Sequence, residues 1–104
     1  MPGPLIIRLH GGPVGDQLVK HGKAALVMRY GIEPGTPVRI WVEEHAKWVD
    51  AVVTEKHRVS HDVLSRLVGL SGYASVEEWV ESVERMNKGS LPGWVFVVER
   101  IRLE

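Results

Sequence analysis

The chain has 104 residues, no cysteine, and 13 Lys+Arg balanced by 13 Asp+Glu, for a formal net charge of zero. That length is enough for one domain and short for two, and such a domain buries well over half of its unfolded surface without a disulfide or a structural metal. Missing thiols exclude disulfides, thiolate metal sites and a cysteine nucleophile, and the neutral balance removes the overall basicity that would by itself point to nucleic acid.

No charged-then-apolar leader opens the chain, and no apolar run approaches the roughly 18 residues of a membrane span. A cytoplasmic protein without a membrane partner is therefore expected. Charge is nonetheless uneven. Residues 1–68 hold nine cations against seven carboxylates, together with all five histidines, so an anionic partner is best sought there.

Leu5 to Leu9, between a proline and "GGP", predicts a first strand. Gly15 to His21 predicts a short helix. Asp16 near its start and Lys20 and His21 near its end complement the macrodipole, and Gly22 sits at the position that turns the chain through a left-handed conformation. Ala24 to Tyr30 reads as a second strand. "IEPGTP" predicts a type II turn, with Pro34 fixing φ and Gly35 supplying the permissive residue.

Val38, Ile40 and Val42 then alternate with Arg39, Trp41 and Glu43, the period of a half-buried strand. "EEHAK" is a polar hairpin connection, and Trp48 to Val59 is a β-rich stretch long enough to bend around a barrel. At Ser60 the period changes. Ser60 caps a helix with apolar positions Val63, Leu64, Leu67 and Val68. After the break "LSGYAS", Ser75 and Glu78 form a capping box, and Val76, Trp79, Val80 and Val83 give the next helix its apolar face. Trp94 to Leu103 is a closing strand. The order predicts an α+β fold: a small, mostly antiparallel barrel with three short helices at one end.

The order and punctuation resemble the ASCH domain, a branch of the PUA-like superfamily. Gly22-Lys23 followed by a short strand ending in Arg29, the turn and strand "EPGTPVRIWV", and "SGYASVEEWVESV" leading into a capped helix carry the resemblance, over roughly Asp16 to Leu103. It implies a single PUA-like domain over 1–104, with a cleft between barrel and helices that binds RNA or a nucleotide-like ligand. Some members of that branch are small amidohydrolases acting on acylated cytidines. There the implied machinery is the Lys after the Gly, a Thr on the following strand, and an acid just before the Gly-aromatic pair. Here Lys23 is present, the Thr position falls at Leu26 or Val27, and the acid position is Ser71. A nucleophile needs an activating base within reach, and two of the three parts are replaced.

The candidate nucleic-acid-binding residues are accordingly Lys23, Arg29, Tyr73, Gly72, Ser71, Lys20 and His21. In a regular strand Lys23 and Arg29 share a face, with Ala25 and Val27 between them, and together present a point charge and a fork to phosphate. The plainer reading makes Lys23 a solvated residue beyond a helix cap and Arg29 the partner of a nearby carboxylate. Gly72 and Tyr73 offer a close backbone approach and a stacking ring, or simply a turn and an apolar staple. Lys20 and His21 extend the basic edge. Trp79 lies on an apolar stripe and belongs in the core, whereas Trp41, on the polar phase of its strand, is either a stacking platform or a residue covered by a helix.

The histidines form no metal motif: His57 and His61 straddle a strand–helix boundary, and no H-E-x-x-H occurs. No metal or cofactor is expected. An RNA- or nucleotide-binding module is the leading expectation. A small hydrolase of modified nucleosides with non-standard catalytic residues and a protein-interaction domain are the alternatives.

Overall fold

Local chemistry sets the ends of most elements. The computed structural model describes residues 3–103, so positions 1, 2 and 104 of the expected domain lie outside the described residues. Strand β1 spans Leu5–Leu9, helix α1 Pro13–His21, β2 Lys23–Met28, β3 Pro37–Val42, β4 Lys47–Arg58, α2 His61–Leu67, α3 Val76–Met86 and β5 Trp94–Leu103.

Helix α1 begins two residues earlier than the sequence pattern suggests, because Pro13 is pre-set for a first helical turn. It ends at Gly22, whose φ of 76° closes a hydrogen bond from its N–H to the Leu18 carbonyl. Arg100 reinforces that end: its Nη1 donates to the Val19 carbonyl at 2.7 Å, and its backbone N–H donates to the Gly22 carbonyl. Ser60 Oγ accepts from Val63 N–H and Ser75 Oγ accepts from Glu78 N–H, each at 3.2 Å, so α2 and α3 start at their expected caps. In the turn before β3, Thr36 N–H donates to the Glu33 carbonyl and Gly35 has φ 91°, the signature of a type II turn. The "EEHAK" connection contains a single 3-10 turn, Glu43–His45, released by Ala46 at φ 48°.

The five strands form one mixed sheet in the order β1-β3-β4-β5-β2. Strand β1 runs parallel to β3, and the other three pairings are antiparallel. The closed, mostly antiparallel barrel expected from the sequence is thus not formed. The sheet curls into a half-barrel whose outermost strands, β1 and β2, remain unpaired with each other. The reason is topological. By pairing beside β3, β1 takes the place at one end of the sheet, and α1 carries the chain across to the other. Strand β4 does bend, at a register shift between Val53 and Glu55 that reverses which side chains face inward.

Two apolar cores share the sheet. The curl encloses Leu18 of α1 with Ile7, Leu26, Val38, Ile40, Val42, Val49, Val53, Phe96 and Val98. On the opposite side of β2 and β5, Leu64 and Leu67 of α2 and Trp79 and Val83 of α3 pack on Ala25, Val95 and Val97. Strand β5 is therefore buried on both faces. Burying its Phe96 alone contributes roughly 1.5–3 kcal/mol.

Candidate functional site

A cleft of about 170 Å³ opens where β1 and β2 approach without pairing. One wall is the end of β1 and the turn after it, Arg8 to Gly11, with Val14 of α1. Opposite stand Leu26 and Val27 of β2, and Tyr73 with Trp79, Val83 and Met86 of α3 closes the remaining side. Leu26 belongs to one core and Val27 packs on the other, which places the opening at the seam between them. The walls are apolar, and the polar groups of the rim are His10 and the backbone of the glycine turn; Arg8 lines the cleft at the end of β1, with its guanidinium 5.8 Å over the Trp48 ring on the outer face of the sheet. An apolar cavity of about 150 Å³ accepts one benzene-sized ring, and drug-sized pockets start at about 300 Å³. The cleft therefore takes a single ring system.

Tyr73 is the one expected site residue that lines the cleft. Its hydroxyl shares a 2.5 Å hydrogen bond with the hydroxyl of Ser82, which fixes the ring along α3. The two residues before it hold it there. Ser71 is fully buried; its Oγ donates to the Val68 carbonyl at 2.6 Å and accepts from the Tyr73 N–H at 3.0 Å. Gly72 adopts φ 81°, and a Cβ at this position would lie 2.7 Å from the Pro13 carbonyl oxygen. The segment thus seats directly on the first residue of α1. Gly72 and Ser71 position the aromatic lip; neither lines the cleft.

The expected cations are distributed differently. Lys23 opens β2 beside Glu99 of β5, whereas Arg29 lies in a bend just after the strand ends at Met28. Pairing along β2 is continuous, so the two residues stand about 20 Å apart along the chain direction, at about 3.3 Å per residue. They cannot close on one phosphate. Lys20 pairs with Asp16 at 3.2 Å, one helical turn away, and His21 is exposed at the end of α1. Together with Lys23 they mark the far end of β2 from Arg29. Asp16 Oδ1 also accepts from His45 Nε2 at 2.9 Å, tying α1 to the turn after β3. That hydrogen bond, followed by the one to Lys20, holds the Asp16 carboxyl below its ordinary value.

Leu26 and Val27, at the family's threonine position, present only carbon to the cleft; Ser71 has both hydrogen-bonding functions engaged; and Lys23 is not among the lining residues. Among the described residues, no group of three or more His, Asp or Glu side chains is placed to hold a metal ion, and no helix is long and apolar enough to cross a membrane. Trp79 is 1% exposed and belongs to the second core, yet its edge reaches the cleft. Trp41 is half-buried, with its ring 5.2 Å from that of Trp48 and its Nε1 donating to Glu43 at 2.6 Å.

Arg8, His10 and Met86 escape a reading of local pattern. "RLHGG" reads simply as the end of a strand, and only the placement of β1 beside β3 turns it into a rim. The signal available was the paired glycine after a cation, which frees the backbone next to an unpaired strand edge. Comparison of the chain with protein-family models, with curated proteins and with solved structures gives no match, so the site is read from its own geometry.

Proposed function

We propose that this protein is an RNA- or nucleotide-binding module that takes one base into the seam cleft. The observation that supports the reading is a one-ring apolar slot with an aromatic lip, Tyr73, and His10 with the backbone of the glycine turn on its rim. Tyr73 supplies a flat face for the base and Trp79 an apolar edge. The backbone of the turn at His10 and Gly11 meets the polar edge of the ring, and the His10 imidazole stands beside it on the rim. The apolar lining supports binding as the leading reading.

The test uses Trp79 as reporter. Titration of the four ribonucleosides and short single-stranded oligonucleotides, followed by tryptophan fluorescence, is expected to show saturable binding that Trp79→Phe silences. Tyr73→Ala and Val27→Phe, which remove the lip and fill the slot, are expected to weaken binding at least several-fold. Absence of saturable binding, or affinities unchanged in both variants, overturns the reading. Release of product from acylated nucleosides would favour the hydrolase alternative instead.

A further inference from the structure

We infer that the end of the sheet where β2, β4 and β5 meet is a second contact surface, for the sugar-phosphate backbone of a single-stranded RNA whose base occupies the cleft. This inference rests on the cleft reading and extends it from a free nucleotide to a strand. In register, Met28, Trp94 and Arg58 form one row across β2, β5 and β4. The bulge at Thr54 turns Lys56 and Arg58 onto the same face as Trp94, and both cations lie over its indole, at 4.6 and 4.5 Å from the ring centroid. Arg29 follows Met28 directly and is exposed, as is Tyr30. Two cations therefore share one aromatic floor, against which Gly31 of the bend after Arg29 also packs, with Glu33, held by Lys56, as the carboxylate among them. Glu55 and His57 pair with each other on the opposite face of β4.

The state of Arg58 is what points to a ligand. Its guanidinium is stacked on Trp94, yet it makes no hydrogen bond or ion pair with any described residue, and neither does Arg29. Contact with the indole restrains the guanidinium while its donors remain without a partner among the described residues, an arrangement that loses little entropy on meeting phosphate. Its position also suits a strand. Arg29 lies two residues beyond Val27 in the cleft wall, about 7 Å along β2. That is on the scale of one nucleotide step in an extended chain, so a base in the slot sets its neighbouring phosphate near Arg29, and the following phosphate reaches Arg58 two strands across the row.

The experiment compares wild type with Arg29→Gln/Arg58→Gln, which keeps the side-chain stems and Trp94. Probes are uridine and adenosine, then short oligo(U) and oligo(A), each titrated over a range of salt. The double variant is expected to bind the nucleosides as wild type does. Its log–log salt slope for the oligomers is expected to fall by about 1.4, two contacts at about 0.7 each for single strands. Arg58→Lys, which keeps the charge and loses the fork, is expected to restore its share of the slope but not the full affinity. An unchanged oligomer slope overturns the inference while leaving the cleft reading in place. Loss of nucleoside binding in wild type, with the slope change still present, overturns the cleft reading alone. Failure to bind any oligomer, or salt-sensitive binding only to phosphatidylserine vesicles, overturns the inference.

Discussion

Replacing Gly72 by alanine tests how the aromatic lip is built. Two costs arise at this site, and a second glycine separates them. Gly72 has φ 81°, a left-handed conformation that costs an L-residue about 1–2 kcal/mol. A Cβ there would also lie 2.7 Å from the Pro13 carbonyl oxygen and 2.8 Å from Pro13 Cβ, inside van der Waals contact with backbone that cannot swing aside. Overpacking of this kind adds about 1–3 kcal/mol. Gly89 has nearly the same φ, 87°, and open space where its Cβ would sit. It carries the conformational cost alone.

With a urea m-value of about 1.5 kcal/mol/M, within the range for small domains, Gly89→Ala lowers the unfolding midpoint by about 1 M. Gly72→Ala lowers it by about 1.5–3 M. The same variant displaces Tyr73 from the start of α1, so nucleoside binding falls in Gly72→Ala and persists in Gly89→Ala. Equal midpoint shifts in the two variants would refute the close packing of this segment on Pro13.

Ser71→Ala removes, from a fully buried side chain, the acceptor of the half-buried Tyr73 N–H, at a cost of about 1 kcal/mol; urea unfolding measures the loss, and amide exchange at Tyr73 is expected to accelerate with it. Asp16 governs part of the acid sensitivity. Its folded pKa lies below its ordinary value through the His45 and Lys20 contacts, so its stabilising contribution is present above the ordinary carboxylate range, about pH 3.9, and disappears as pH falls through the lowered value. Asp16→Asn is expected to lower stability at neutral pH and to flatten the stability–pH curve in that acid window, as read from urea midpoints between pH 2 and 6; an unaltered curve would remove Asp16 from the account.

What the chain declares in advance is whatever short-range chemistry decides. Ser60 and Ser75 announce their helices because a cap needs only the next three residues, and Pro34-Gly35 announces a turn for the same reason. The alternation of Val38, Ile40 and Val42 likewise needs no partner to be read. Closure of the sheet is different: whether β1 sits beside β3 or beside β2 depends on residues some thirty positions away, and nothing in "LIIRL" distinguishes the two. That one pairing decides the candidate site. It opens the seam, makes His10 and the glycine turn a rim, and leaves Lys23 at the far end of its strand. Tyr73 could be singled out early because its ring follows a glycine just ahead of a capped helix. Arg29 could be singled out as a cation but not located, since the row it follows, Met28, Trp94 and Arg58, is assembled from three strands and set by a bulge in β4.

The double burial of β5 has a consequence for how the molecule comes into being. Before residues 94–103 are available, the curl lacks Phe96 and Val98 and the helical layer lacks Val95 and Val97, so each half has an open flank. Neither can seal by itself, and both seal in the same event when one strand arrives. During synthesis the segment before residue 94 is therefore an unfinished surface that needs protection, and assembly waits on β5. In the finished protein, the amides of β5 should exchange with solvent only through opening of the whole.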